Sequence, residues 1–377
     1  MKIAVIGAGV SGIIFAVNRK KHHPKDEIIV FEHLDKALKK ILSTGNGKCN
    51  IGNKYDISYK SNNELVRNIL QEYNYDVQNY FLNSLNIKTK LVNELSYPIS
   101  ESAVTVRNAL LKAVDKYGII IKLNSEVKDY QLKEDKITLF TNEGEEVFDK
   151  LVIAVGGKSS PKLGSDGSFV SVLEKHGYKL KEFQPALCPI YTKEKTKILD
   201  GTRVKAIVRL FANNKIITEE YGEVLFKEHG LSGIVIFNIS RFIANDLNKQ
   251  YIVQIDLLPD VKEEELKHFL KVSSVNELLE AYLHPNLVKY LIDLKVNKDN
   301  VIEAVKSLEF TFDKLYGFDN SQVSVGGISF NDIDEKLQSK CEKSVHFLGE
   351  LLDYAAPCGG FNLMWAIATG LYLSNKI

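Results

Sequence analysis

Three glycines, Gly7, Gly9 and Gly12, follow directly on the run Lys2-Ile-Ala-Val-Ile6, and an acid, Glu32, closes a second apolar run from Glu27 to Phe31. Each of these residue types has a physical task in that order. The first glycine permits a tight turn, the second lets backbone amides approach a diphosphate, and the third allows a helix to pack closely on its strand. The helix N-terminus favours the phosphate charge, and Val10 and Ser11 supply its first amides. Glu32 is then placed to accept hydrogen bonds from ribose hydroxyls. Glycines also serve plain turns, so the spacing alone is a weak signal. Strand, glycines, helix to about His22, strand and acid, all in order within the first 32 residues, point to dinucleotide binding.

Two further segments have the texture of ligand loops. Residues 43 to 53 carry Ser43, Gly45, Asn46, Gly47, Cys49 and Asn50 with only isolated apolar positions. Such a loop can wrap a ligand with backbone groups, although a solvated loop has the same composition. Near the far end, a strand over Val345 to Leu348 runs into Gly349-Glu350, then Pro357-Cys358-Gly359-Gly360-Phe361-Asn362 and a helix over Leu363 to Leu373. In a doubly wound sheet, ligands sit at the carboxyl ends of strands, so a second strand-to-helix junction suits an elongated dinucleotide. Met364 and Trp365 stand at core-like positions of that last helix.

The elements that must position these loops follow from periodicity. Strands are expected over Gly118 to Leu123, Lys136 to Thr141 and Val147 to Val155, the last ending in Gly156-Gly157. Beyond about Pro185 the texture changes. Arg203 to Phe211, Lys215 to Tyr221 and Tyr251 to Leu257 read as strands of a compact β-rich unit, and short helical blocks follow at 264–272, 275–283, 287–294 and 301–308.

Composition narrows the class. With 377 residues and 45% hydrophobic content there is material for two or three domains, and 49 basic against 48 acidic residues give no global field for a polyanion. No stretch approaches the 18 or so apolar residues of a membrane helix, which makes a cytoplasmic location the expectation. The four cysteines, Cys49, Cys188, Cys341 and Cys358, lack zinc-type spacing and are expected as free thiols, with no metal bound.

Several blocks in order carry a resemblance that covers essentially the whole chain: GAGVSG at 7–12, K-x-x-S-x-G-x-G-K-C-N from Lys40 to Asn50, GGKSSPKLGSDG at 156–167, PALCPI at 185–190, GEVLF and GLSG within 222–233, VGGI at 325–328, and GELLD with PCGGFN within 349–362. The sequence resembles the HI0933-like (BaiN/RdsA) family of NAD(P)/FAD-dependent flavoproteins. That resemblance implies an α/β fold with a discontinuous, glutathione-reductase-like FAD-binding Rossmann domain, interrupted by an inserted β-barrel and small helical domain. The boundaries expected are 1–188 and 323–377 for the two parts of the FAD domain and 189–322 for the insert. Residues expected to meet FAD are Gly7, Gly9, Val10, Ser11, Gly12, Glu32, Lys40, Ser43, Gly45, Asn46, Gly47, Cys49, Asn50, Val127, Gly156, Gly157, Gly349, Glu350, Gly359, Gly360, Phe361 and Asn362.

The sequence departs from the family pattern at informative places. Lys48 stands where Arg is usual, Gly52 where Thr is frequent, Glu228 at a customary His position, and Ala355-Ala356 where an Asp-Gly pair is common. The family's described activities are reductases linked to bile-acid dehydroxylation and a dihydrouridine synthase acting on ribosomal RNA. Both imply NADH- or NADPH-driven reduction of a conjugated C=C through FAD. The acceptor is then a small molecule or an RNA base, and a non-catalytic flavin-binding protein is the third reading. Cys49, Cys358 and Tyr354 are the candidate proton donors by motif, although a cysteine in such a place is as often a small buried hydrophobe.

Overall fold

Four consecutive apolar residues, Ile3 to Ile6, leave no polar face, which suits a strand covered on both sides. In the computed structural model, which describes residues 1–58 and 61–377, they belong to β1 (Lys2–Ile6), the centre of a five-stranded parallel sheet. Its other strands are β2 (Glu27–Phe31), β3 (Ile120–Lys122), β4 (Lys150–Ile153) and β5 (Val345–Phe347), in the order β5-β4-β1-β2-β3. Ile6 lies opposite both Phe31 and Ile153, so the ends of three strands and the loops that follow them share one edge.

Two helices bracket the chain and pack on each other. Helix α1 (Val10–His22) follows β1, and α2 (Phe361–Ser374) closes the sequence. Asn18 donates to the Ser374 hydroxyl at 2.7 Å, and a Cβ on Gly370 would fall 2.7 Å from the Ser11 carbonyl oxygen. Met364 and Trp365 are buried in α2, as their positions suggested.

The chain divides into two compact units, residues 1–183 with 323–377 and residues 184–322. The first also holds an antiparallel meander of Val127–Lys133, Lys136–Thr141 and Gly144–Phe148. Here the single strand expected over Val147 to Val155 is two. The chain breaks at Asp149, whose carboxylate accepts the Lys2 N–H at 2.7 Å, so Gly144–Phe148 joins the meander and β4 joins the parallel sheet.

The second unit is a closed barrel of six strands, Ile190–Thr192, Gly230–Ser232, Lys215–Lys227, Arg203–Ala212, Tyr251–Asp256 and Leu308–Leu315, in that order around the barrel. Arg203–Ala212 alternates strictly, with Ala206, Val208 and Leu210 buried inside. Helices Glu263–Phe269, Val275–Tyr282, Pro285–Asp293 and Val301–Lys306 cover one side, and Ser274 with Glu277 forms a capping box that starts the second of them. The fold class is therefore the expected one: a parallel sheet built from both ends of the chain and interrupted by a closed barrel with small helices. Among the described residues, no helix is long and apolar enough to cross a membrane, and the four cysteines form no disulfide.

An ion pair ties the last turn of α1 to the residue before β2. Arg19, in the last turn of α1, is buried and donates to Asp26 at 2.7 Å, and the Met1 amine reaches the other Asp26 oxygen at 2.7 Å. Burial works to raise the Asp26 carboxyl, but the N-terminal amine and the Arg19 guanidinium hold it below the ordinary carboxylate range. Its stabilising contribution is thus complete above about pH 4 and is lost as the pH falls toward the lowered value. Asp26→Asn, which leaves the Arg19 charge buried without its partner, should destabilise the protein by about 3 kcal/mol at pH 7. Urea titrations at pH 7 and about pH 2.5 check this: the difference between variant and wild type should narrow at the lower pH.

Candidate cofactor site

The glycine turn is closed on one side and open on the other. A Cβ at Gly12 would sit 2.3 Å from the Gly7 carbonyl oxygen, whereas a Cβ at Gly9 meets no atom within 4 Å. Ile13 N–H bonds Gly9 O at 3.0 Å, which makes Gly9 the helix start and leaves the amides of Val10 and Ser11 directed outward. Glu32 is buried beside this turn. Its carboxylate accepts Ala8 N–H and Leu34 N–H, each at 3.0 Å, and keeps further lone pairs for a ribose. Ser125 N–H bonds Glu32 O at 2.9 Å, which brings the buried Val127 to the same end. An acid beside an open glycine, at the N-terminus of a 13-residue helix, fits an adenine dinucleotide.

The middle of the site is a half-buried polar knot. Lys40 donates to Glu350 at 2.8 Å and to the Ser159 hydroxyl at 2.6 Å. The other Glu350 oxygen accepts from Ser324 N–H at 2.8 Å, Ser324 Oγ at 3.0 Å and Ser159 Oγ at 3.1 Å. Burial alone would raise the Glu350 carboxyl, but the Lys40 ammonium and the Ser324 donors hold it below the ordinary range. Gly157 lines the knot, since a Cβ there would fall 2.1 Å from Ser324 Oγ, whereas Gly156 faces the Ser165 hydroxyl, 2.9 Å from where its Cβ would stand. Gly349 brings the knot to the glycine turn, because its Cβ would meet Ser11 Oγ at 2.7 Å.

The loop after Lys40 and the turn before α2 meet at the other end. The Asn50 amide donates to Gly52 O at 2.8 Å and to Ser96 O at 3.2 Å, and its oxygen accepts Gly360 N–H at 3.3 Å. Asn53 Nδ2 donates to Gly359 O at 3.1 Å. Asn362 ties down the preceding loop by accepting Ala356 N–H at 2.8 Å and donating to Ala356 O at 2.9 Å. Gly360 itself has φ +90°, and a Cβ there would lie 2.8 Å from Gly52 O. Ser43, Gly45 and Asn46 sit at the exposed tip instead, with Ser43 Oγ turned back onto Lys40 O. Gly47 follows, half-buried.

The three candidate proton donors differ in access. Cys49 is fully buried, and burial pushes its thiol up to about 11. Tyr354 and Cys358 are half-buried in the loop that Asn362 anchors, and the Tyr354 ring lies 4.8 Å from that of Trp365. Phe361, Met364, Ile57 and Ala356 form an apolar cluster beside Tyr354 and Tyr75.

Three of the departures from the family pattern have local partners, while nothing in the structure explains Ala355-Ala356. Met364 occupies the space next to Gly52, where a Cβ would be 3.3 Å from Met364 Cγ. Lys48 pairs on the surface with Glu101 at 3.1 Å, and Glu228 pairs with Lys197 at 3.4 Å. Asn53, Ser159 and Ser324 complete the hydrogen bonding, and Ser96 adds its backbone carbonyl; none was among the expected site residues, because short polar residues carry no signal until their distant partners are known.

Comparison with known proteins decides the family. A profile described as "HI0933-like protein Rossmann domain" matches residues 1–376. The chain belongs to the HI0933-like family. It is 30% identical to the 3-dehydro-bile acid delta(4,6)-reductase of Clostridium scindens, covering 100% of this chain and 98% of that one. It is also 27% identical to the ribosomal RNA dihydrouridine synthase of Haemophilus influenzae, over 96% and 94% of the two chains. Among solved structures, the 3-ketosteroid delta1-dehydrogenase of Sterolibacterium denitrificans shares the fold, with a TM-score of 0.52, 10% identity and coverage of 99% and 98%. The HI0933-like protein is thus an FAD-dependent oxidoreductase.

Gly360→Val should cost about 2 kcal/mol or more, since a β-branched residue resists the left-handed backbone and meets the Gly52 carbonyl. Helix α2 lies beyond this turn and should persist. Circular dichroism beside FAD titration checks the point, the expectation being native helix content with weakened FAD binding.

Proposed function

We propose that this HI0933-like protein reduces a conjugated C=C bond in a small-molecule acceptor, drawing on NADH or NADPH in the cytoplasm. The observation that carries the reading is the full-length similarity to a delta(4,6)-reductase. Bound FAD supplies the hydride transfer that such a reduction needs. Residues 1–188 and 323–377 hold it, and residues 189–322 govern the choice of acceptor.

The chain's own residues divide the remaining work. The turn of Gly9 to Gly12 and Glu32 bind the adenosine and diphosphate half. Helix α2 starts at Gly360, next to the Asn50 amide and within the apolar setting of Phe361 and Met364, so its amides suit negative charge at the pyrimidine edge of a reduced flavin. Asn50 and Asn362 hold this turn in place from either side. A proton must reach the carbon that does not receive the hydride. Cys49 is a poor source, being buried with its thiol pushed up to about 11. The Tyr354 hydroxyl is assigned that role, with Cys358 in the same loop.

A second reading replaces the small molecule with an RNA base, on the strength of the dihydrouridine synthase relatives from Haemophilus influenzae and Escherichia coli. Binding of ribosomal RNA that weakens steeply with salt separates it from the first. The test of the main reading is anaerobic reduction of the FAD-loaded protein by NADH and NADPH, followed by reoxidation with conjugated enones. Tyr354→Phe should slow the reoxidation step by roughly a hundredfold while reduction by NAD(P)H keeps its rate. Equal slowing of both steps would remove the proton-donor role, and failure of every reductant to bleach the flavin would remove the NAD(P)H assignment.

A further inference from the structure

The inward side chains of the barrel strand Arg203–Ala212, among them Ala206, Val208 and Leu210, are spent on the barrel core. What its other face presents is set by register against the neighbouring strand Lys215–Lys227. Three successive outward rows result: Lys205 opposite Glu223, Ile207 opposite Tyr221, and Arg209 opposite Glu219. Directly opposed residues of an antiparallel pair share a face, so an apolar row lies between two rows of charge. Tyr221 is 59% exposed, which shows that this face of the barrel opens to solvent.

The charges are sorted by strand. Arg203, Lys205 and Arg209 are all basic on the first strand, and the residues they meet on the second, Glu219 and Glu223, are both acidic. Arg209 donates to Glu219 at 2.7 Å, and Arg203 pairs with Glu223. The carboxylates of both pairs are about half exposed, at 51% and 49%, and ion pairs of that kind add little to the stability of a single chain. A basic column beside an acidic one also offers no one-signed field to a polyanion or an anionic bilayer. It is, however, complementary to itself.

An isologous interface needs that property, because the same patch must fit its own copy. A two-fold axis lying in the face, parallel to the strands and between the two columns, sets the basic strand of one copy over the acidic strand of the other. Arg209 then meets the second copy's Glu219, Lys205 meets its Glu223, and the row of Ile207 and Tyr221 is covered. An axis across the strands would instead stack the basic column on itself, which repulsion opposes. We infer that the outer face of Arg203–Ala212 and Lys215–Lys227 is a homodimer interface, in which two barrels pack sheet on sheet in the aligned manner. Two strands make a face at the small end of specific interfaces, so the dimer forms in the micromolar range.

Sedimentation velocity on the purified whole chain between about 1 and 200 µM tests the inference. Wild type should pass from monomer to dimer across that range, and added salt should weaken the dimer. Arg209→Glu and Glu219→Arg should each raise the dimer Kd by about tenfold or more, since each sets like charges face to face. An equimolar mixture of these two variants should return to within about threefold of the wild-type Kd, because every reversed charge then meets its opposite in the other copy. A wild type that stays monomeric throughout would overturn the inference. Variants that dimerise as wild type does would put the dimer on another face, and a mixture that stays monomeric would remove the proposed pairing. Circular dichroism checks the fold of each variant. Should either fail to fold, Lys205→Glu with Glu223→Lys makes the same comparison on the other side of the apolar row.

Discussion

The contact on which the rest depends is the backbone-to-backbone approach of the last segment of the chain to the first turn of α1. Gly370 lies against the Ser11 carbonyl and Gly349 against the Ser11 side chain, each with no space for a Cβ. Dispersion is short-ranged, so contact this close lets two helices and a turn pack without a void. The consequence is chemical as well as mechanical. The N-terminal end of α1 is built jointly by residues near both termini, and a change at either reaches the same few atoms.

Electrostatics then decides which way the site faces. Two ion pairs flank α1, Arg19 with Asp26 at its end and Lys40 with Glu350 near its start. A buried pair gains little over an apolar one, because desolvation offsets most of the Coulomb attraction. What such pairs contribute is geometry: each tolerates only one arrangement of the strands that bear it. The Lys40 pair joins segments that are far apart in sequence, and Ser159 and Ser324 satisfy the Glu350 oxygen that Lys40 leaves.

Much of this was legible from residue order. The glycine spacing, Glu32 and the extent of α1 could be read because the signals are local and the helix ends where its periodicity does. The junction of Gly359-Gly360 with the last helix was legible for the same reason, while the left-handed backbone at Gly360 came only with the structure. The break at Asp149 was not, because the bond that causes it comes from Lys2, at the other end of the half-chain. Leu308–Leu315 was also missed as a strand. Its partner Tyr251–Asp256 is remote in sequence, and the helical pattern before it runs on without a stop signal. Glu350 illustrates the limit most clearly. Its motif marks it as important, but whether it serves a ligand or a lysine depends on partners that no spacing reveals.

The central claim is that residues from both ends of the chain form one FAD site. Amide hydrogen exchange with and without FAD tests it most directly, since it reports each backbone segment separately. The account predicts slowed exchange on adding FAD at the amides of 9–12 and 32–34 and, with the same FAD dependence, at those of 359–364. Protection confined to the N-terminal segments, with 359–364 exchanging as in the FAD-free protein, would contradict it.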